Sequence, residues 1–233
     1  MRVHFVIHEA YEAPGAYLAW AALHGHEIAL TKVYQFDPLP QVDDFDWLIV
    51  MGGPQSPHST KEEYPYYDAK AEIKLLQETI AADKPIIGVC LGAQLLGEAY
   101  GAPVEHSPEK EIGNFPIVLT QAGRKDPCLS HMGPELTTGH WHGDMPGISE
   151  EAQVLASSQG YPRQIIRYAP QHYGFQCHLE LTKDLVAQLL AQENDIQSDS
   201  QTYTYVQDEK TILDYDYEPM NQALYSFLDQ LTQ

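Results

Sequence analysis

The chain has 233 residues, enough for one substantial hydrophobic core, and it carries 33 Asp and Glu against 13 Lys and Arg. The formal net charge of −20 would repel a phosphate backbone, so we expect no nucleic-acid partner. Three cysteines without close pair spacing, Cys90, Cys128 and Cys177, argue against a disulfide framework and against a cysteine-rich zinc site.

The amino terminus runs directly into a strand-like apolar segment at residues 3–7, without a basic region or a long apolar stretch. We therefore expect no secretory signal, no membrane-spanning segment, and a cytoplasmic location with reduced thiols. No repeat or linker divides the sequence, which predicts a single domain over residues 1–233.

The first half of the chain alternates strands with helices. Branched apolar runs predict strands at 2–8, 27–34, 45–51 and 85–89, and helical spacing predicts helices at 15–23, 67–82 and 93–100. On the second helix, the residues expected to share a buried face are Ala69, Ile73, Leu76 and Ile80. This alternation indicates an α/β fold with a mostly parallel sheet flanked by helices. Such sheets bind ligands at the carboxyl ends of their strands, where Gly52, Gly53 and Cys90 fall.

The second half contains shorter extended pieces at 114–120, 136–142, 153–157 and 164–168, which predict an antiparallel edge. A helix is expected to begin near Thr182, and a C-terminal helix is expected at about 219–231. Between them, residues 194–217 are polar, acidic and rich in tyrosine, and we interpret them as a solvated excursion. Within it, Tyr203, Tyr205 and Val206 are candidates for a short strand or an association surface.

Residues 88–92 (GVCLG) place a cysteine between two glycines, where a strand ends and a helix begins. A sharp turn there exposes the side chain of Cys90 and puts its sulfur at a helix N-terminus. Free backbone N–H groups at that position favour a thiolate and can bind an oxyanion. Taken alone, this local sequence favours a buried structural cysteine, and it is the rest of the chain that makes Cys90 a candidate nucleophile.

A nucleophilic cysteine needs a base near its sulfur and a further group that orients the base. His178 and Glu180 meet this need, because residues two apart in an extended segment point to the same side. His140 and His142 also share a face, but no third ligand is evident, so we predict no catalytic metal and no cofactor. The same alternation turns Cys177 away from His178 and into the core.

Four segments, in the same order, resemble class I glutamine amidotransferases, especially the glutaminase domain of the GMP synthase type. They are residues 51–56 (MGGPQS), 88–94 (GVCLGAQ), 142–144 (HGD) and 175–180 (FQCHLE). The resemblance extends from the first strand through Glu180 and leaves the acidic region after Asn194 uncovered. It implies the flavodoxin-like arrangement of that family, with an antiparallel edge.

The resemblance implies a mechanism in which the thiolate of Cys90 attacks the side-chain amide of glutamine and forms a γ-glutamyl thioester. Backbone N–H groups of Gly53 and Leu91 would stabilise the oxyanion. His178 would protonate the departing ammonia and then activate water, while Glu180 orients it.

By the same motifs, the residues implied to line the glutamine site are Gln94, Trp141, Gly143 and Asp144. The resemblance also implies glutamine or another γ-glutamyl small molecule as substrate, and a synthase as the candidate receiver of ammonia. Two alternatives stay open: a γ-glutamyl peptidase that uses the same catalytic groups, and a catalytically silent binding or regulatory module.

Overall fold

The computed structural model describes residues 1–233 as seven α-helices and ten β-strands that form one sheet. The strands are β1 (Arg2–Ile7), β2 (Glu27–Lys32), β3 (Trp47–Val50), β4 (Ile86–Val89), β5 (Glu105–Leu119), β6 (Glu135–Met145), β7 (Gln153–Ser158), β8 (Ile165–Ala169), β9 (His172–Phe175) and β10 (Tyr205–Val206). The helices are α1 (Gly15–Leu23), α2 (Ala69–Ala81), α3 (Leu91–Ala99), α4 (Lys183–Leu190), α5 (Ile196–Thr202), α6 (Glu209–Leu213) and α7 (Glu218–Leu231).

The sheet has a parallel part and an antiparallel part that meet at β9. Strands β2, β1, β3, β4 and β9 lie side by side and are parallel. From β9 the sheet continues through β8, β7, β5 and β6 with antiparallel pairing, and the short β10 adds to β5 in parallel. The predicted α/β class, with a parallel sheet and an antiparallel edge, is confirmed.

Helices cover both faces of the parallel part, so its central strands are buried throughout. Every residue of β3 and β4 is buried. Along β3, Ile49 joins the core cluster that contains Trp20 of α1 and Phe227 of α7, whereas Leu48 joins the cluster that contains Leu76 of α2. Because successive strand residues point to opposite faces, a short run of branched apolar residues fills two cores at once.

Helix α2 is rotated relative to the face expected from its aliphatic residues. Ile73 and Ile80 are only partly buried, and the buried residues are Ala69, Glu72, Leu75, Leu76 and Thr79. On the buried face, Glu72 lies 2.8 Å from Nε2 of the buried His8. A hydrophobic pattern cannot detect a buried carboxylate, because it counts that position as polar and exposed.

Residues 194–217 are more ordered than the solvated excursion expected for them. They contain α5, β10 and α6, and they bury Ile196, Val206 and Ile212 in one cluster with α4. Tyr205 and Val206 pair with Glu111 and Ile112 of β5. This segment therefore closes the antiparallel edge of the sheet.

All three cysteines are free and buried, and Cys128 belongs to the larger core cluster although it sits in a turn. None of the helices combines the length and the apolar composition that crossing a bilayer requires.

Candidate active site

The candidate site lies where three neighbouring parallel strands end. Strand β4 is paired with β3 on one side and with β9 on the other. Gly52 and Gly53 follow β3, Cys90 follows β4, and His178 lies three residues beyond the end of β9. Because these strands are parallel, their carboxyl ends meet at the same edge, and segments far apart in sequence converge there.

Cys90 occupies a strained turn between β4 and α3. Its backbone dihedrals are φ 51° and ψ −107°, a region that L-residues rarely adopt, and its N–H donates to the carbonyl of Phe175 over 2.7 Å. Glycines on both sides make the turn possible. A Cβ on Gly92 would lie 2.7 Å from the carbonyl carbon of Val50, and one on Gly88 would lie 2.7 Å from the backbone nitrogen of Ala93.

The side chain of Cys90 is less open than a turn of this kind predicts, since the residue is only 6% exposed. The sulfur lies 3.9 Å from the carbonyl oxygen of Trp141, and Nε2 of Gln176 donates to it over 3.4 Å. Nε2 of Gln94 donates in turn to Oε1 of Gln176 over 3.2 Å. Gln176 is therefore a neighbour of the sulfur that the sequence patterns do not single out.

His178 and Glu180 form a buried pair, although their segment is not a strand. His178 is held by an isolated bridge to Gly139, with backbone hydrogen bonds of 2.8 and 2.9 Å. Its Nδ1 lies 2.7 Å from Oε1 of Glu180, and both side chains are at most 3% exposed. Nε2 of His178 is buried and has no hydrogen-bond partner. The ring is thus fixed on one side and free to exchange a proton on the other.

The environment of His178 favours its protonated form. Burial opposes protonation, but the Glu180 carboxylate and the adjacent Cys90 side chain outweigh it and hold the pKa of His178 well above its ordinary value. The other two thiols are in different surroundings. Burial raises the pKa of Cys177 far above its ordinary value, and burial also raises the pKa of Cys128. The side chain of Cys90, by contrast, lies next to His178 and contributes to the raised pKa of that ring.

A cavity of about 410 Å³ opens beside the sulfur. Among the residues expected from the sequence, those that line it are Gly53, Cys90, Gln94, Trp141, Gly143 and Asp144. Leu91, His178 and Glu180 do not line the cavity, and each is nearly fully buried. Leu91 is the first residue of α3, and N–H groups in the first turn of a helix lack partners within the helix.

The cavity wall carries three carboxyl groups, on Glu12, Asp144 and Glu193, and one ammonium group, on Lys110. Glu193 accepts a hydrogen bond from Nε1 of Trp141 over 2.8 Å, and Asp144 lies 2.6 Å from Nδ1 of the exposed His106. Burial, with the nearby Glu180 carboxylate, raises the pKa of Glu12 to about 7, against the opposing effect of His178. The sequence patterns give no signal for Glu12.

The loop after β3 packs on the buried His8–Glu72 pair. Nδ1 of His8 lies 3.0 Å from the carbonyl oxygen of Gly52. A Cβ on Gly53 would lie 2.9 Å from the Cβ of His8 and 3.1 Å from Cδ2 of Leu91. Glycine is therefore required where this loop passes close to α3.

His140 and His142 do share a face of β6, and their ring nitrogens lie 3.2 Å apart. Burial, with the neighbouring His140 and His178, lowers the pKa of His142 well below its ordinary value. The structure also places Glu111 of β5 against both rings, as a third possible ligand that the sequence pattern does not indicate.

Comparison with known proteins gives consistent results. A family model described as class-I glutamine amidotransferase matches residues 22–193. Over 233 residues, the chain is 48% identical to a glutamine amidotransferase-like protein, YfeJ, of Salmonella typhimurium, and the match covers 100% of this chain and 98% of that protein. It is 32% identical to the glutamine-hydrolyzing GMP synthase of the same organism over 151 residues, which are 61% of this chain and 27% of the synthase. A crystal structure described as SMU.1228c superposes with a TM-score of 0.99 at 62% identity and covers 100% of both chains.

Proposed function

Because this chain belongs to the class I glutamine amidotransferase family, we propose that it hydrolyses the side-chain amide of glutamine through a γ-glutamyl thioester on Cys90. The observation that carries the proposal is the convergence of Cys90 with the buried His178–Glu180 pair at the ends of adjacent strands. Nucleophile, base and orienting carboxylate are the three groups that this acyl transfer needs.

Before the first step, the proton of the Cys90 thiol lies on Nε2 of His178, and the thiolate then attacks the amide carbon of glutamine. Negative charge develops on the amide oxygen. We assign its stabilisation to the backbone N–H groups of Gly53 and Leu91, at the loop after β3 and the start of α3. Such a donor typically contributes about 3 kcal/mol to stabilising a transition state.

In the second step, the imidazolium of His178 donates its proton to the leaving nitrogen, and ammonia departs as the thioester forms. The raised pKa of His178 supports this role, since the proton acquired from the thiol is retained until the leaving group needs it. His178 then takes a proton from water, hydroxide attacks the thioester, and glutamate leaves. Glu180 keeps Nδ1 of the ring protonated throughout.

We assign recognition of the α-amino and α-carboxylate groups of glutamine to the cavity wall at Gln94, Trp141, Gly143 and Asp144. The match to the glutamine-hydrolyzing GMP synthase covers only 27% of that longer protein. By analogy, a separate synthase is the proposed receiver of the ammonia.

The test is to incubate the purified chain with glutamine and to measure ammonia and glutamate release, with Cys90→Ser as the inactive comparison. We expect turnover by the unmodified chain, loss of turnover in Cys90→Ser, and covalent labelling of Cys90 by a glutamine-like electrophile. Labelling at Cys128 or Cys177 instead, or undiminished turnover by Cys90→Ser, would contradict the assignment of the nucleophile.

Repeating the assay with γ-glutamyl peptides separates glutamine hydrolysis from γ-glutamyl peptidase activity. The two reactions form the same γ-glutamyl thioester and differ only in the leaving group. Cleavage of γ-glutamyl peptides much faster than glutamine would replace the amidase proposal by the peptidase. Absence of both activities, with no labelling of Cys90, would favour a silent binding module.

A further inference from the structure

Glu111, His140 and His142 form a buried cluster that the glutaminase mechanism does not use. Strands β5 and β6 are antiparallel, and their register places Glu111 directly opposite His142. His140 is two residues before His142, so all three side chains emerge on the same face of this strand pair. Their side chains are at most 1% exposed.

We propose that this cluster binds one zinc ion, with Oε2 of Glu111, Nδ1 of His140 and Nε2 of His142 as ligands. These atoms form a nearly equilateral triangle. The edges are 3.1 Å from Glu111 to His140, 3.2 Å from His140 to His142, and 3.5 Å from Glu111 to His142. A tetrahedral ion with bonds of about 2.0 Å holds its ligand atoms about 3.3 Å apart, so the triangle already has the size of one tetrahedral face.

Hydrogen bonds to the far sides of His140 and Glu111 orient the lone pairs of their ligand atoms toward the centre of the triangle. Nε2 of His140 lies 3.2 Å from the carbonyl oxygen of Phe115 and 3.1 Å from Oγ1 of Thr138, and both oxygens can accept its proton, which leaves a lone pair on Nδ1. Oε1 of Glu111 accepts from the hydroxyl of Ser158 over 2.6 Å, which leaves Oε2 for the ion. Histidines that bind metals usually hold the remote nitrogen in this way.

Charge gives an independent argument. The Glu111 side chain is fully buried, and its only ion-pair partners are the two histidines. A buried carboxylate without a full countercharge is costly, and a divalent ion shared with two neutral imidazoles supplies that charge.

Gln164 is placed to complete the coordination. It is fully buried, its Nε2 lies 2.6 Å from Oε2 of Glu111 and 3.1 Å from Nδ1 of His140, and its Oε1 has no partner. A half-turn of the amide would present that oxygen to the ion as a fourth ligand. Four protein ligands make a closed, structural site rather than a catalytic one.

The ion would join β5 to β6 directly beside the cavity. His142 is a ligand and also lines the cavity with Gly143 and Asp144, while Trp141 lies between the two histidines. Bound zinc would therefore hold the wall of the candidate glutamine site without touching the sulfur of Cys90.

The test uses the full chain, stripped of metal with a chelator, and then titrated with Zn²⁺ against a chromophoric chelator. We expect one equivalent to bind. Glu111→Gln and His140→Ala should weaken zinc binding at least about a hundredfold. This is more than is typical when a residue that only hydrogen-bonds to a ligand is replaced. His58→Ala and His131→Ala, which remove exposed histidines, should bind as the unmodified chain does. At a hundredfold excess over the dissociation constant, zinc should raise Tm by about 5–10 °C.

A second measurement keeps the proposal testable if the ligand variants fail to fold. Co²⁺ bound to the unmodified chain and to Cys90→Ser should give the same intense visible bands of a tetrahedral nitrogen and oxygen site. A sulfur-to-cobalt charge-transfer band that disappears in Cys90→Ser would place the metal on Cys90 and overturn the proposal. So would absence of saturable binding, or binding that Glu111→Gln and His140→Ala leave unchanged.

Discussion

Replacing Glu180 by Gln tests how the His178 ring is activated. The change keeps the size of the side chain and an oxygen that can accept from Nδ1, but it removes the negative charge 2.7 Å from that nitrogen. Both groups are buried, so water screens their attraction poorly. With charge centres about 4 Å apart and an effective dielectric constant of about 20, the lost attraction is about 4 kcal/mol.

The lost attraction destabilises every state in which His178 is protonated. About 4 kcal/mol corresponds to roughly a thousandfold in rate, so we expect kcat/KM for glutamine to fall by up to about that factor. The pKa of His178 should fall, because the largest of the effects that offset burial is the attraction of the Glu180 carboxylate. Proton NMR of the ring across the pH range measures this shift directly.

Alkylation of the thiol gives an activity-independent assay. Cys90 should react with iodoacetamide at pH 7 much more slowly in Glu180→Gln than in the unmodified chain, with the modified residue identified by mass spectrometry. Glu62→Gln, which makes the same charge change at an exposed position, is the matched control and should behave as the unmodified chain. If Glu180→Gln stays within about threefold of the unmodified chain in both turnover and alkylation, the carboxylate does not activate His178.

The same variant has a stability signature. A raised pKa of His178 stabilises the fold fully below the unfolded value of about 6.5, and the contribution is lost as pH rises through the folded value. The difference in unfolding free energy between the two proteins should therefore be largest below about pH 6.5 and shrink at higher pH. A difference that grows with pH would contradict the assignment.

Three further changes probe the surroundings of the site. Gly92→Ala should lower Tm and activity despite the better helix propensity of alanine, because its Cβ would collide with the carbonyl of Val50; a cost of about 1–3 kcal/mol is expected in thermal unfolding. Glu12→Gln should flatten the pH dependence of unfolding: the raised pKa of Glu12 makes the unmodified chain lose up to about 3 kcal/mol as pH rises from about 4.5 to about 7. His8→Ala should cost about 3–5 kcal/mol in urea unfolding, because it leaves the carboxylate of Glu72 buried without its partner.

Each of these has a result that would contradict it. Gly143→Ala, whose added Cβ meets nothing within 4 Å, is the control for Gly92→Ala, and equal Tm values would refute the steric argument. Parallel pH–stability curves for Glu12→Gln and the unmodified chain would show that Glu12 ionises as an exposed carboxyl does. A double variant that removes both His8 and Glu72 should be more stable than His8→Ala alone, and a less stable double variant would refute the buried-charge argument.

The elements that local sequence determines were predicted well. Branched apolar runs in β1, β3 and β4 are typical of buried strands, and their alternation with α1, α2 and α3 favours parallel pairing. Glycines on both sides of Cys90 are typical of a turn in which backbone segments pack too closely for a Cβ, so the strand-to-helix turn was also predictable. Family membership followed from the short motifs on these turns, and the family model and the relatives confirm it.

Sequence patterns failed to predict the positions at which polar side chains are buried. Glu72, Glu111 and Gln164 are all buried, yet each is a residue type that pattern reasoning assigns to the surface. Their positions are explained by partners distant in sequence: His8 for Glu72, and His140 for the other two. In the segment at 194–217, the short strand considered for Tyr205 and Val206 is present as β10, but the buried contacts of its apolar residues with α4 were not predicted.

By itself, the sequence determined the α/β class, the turn that carries Cys90, and the pairing of His178 with Glu180, because these depend on short-range spacing and on residue type. Only the tertiary structure decided that β9 lies beside β4, which brings His178 to the sulfur, and that β5 lies beside β6, which turns two histidines and a glutamate into one cluster. Strand order is set by packing across the whole sheet, and no local pattern in the chain encodes it.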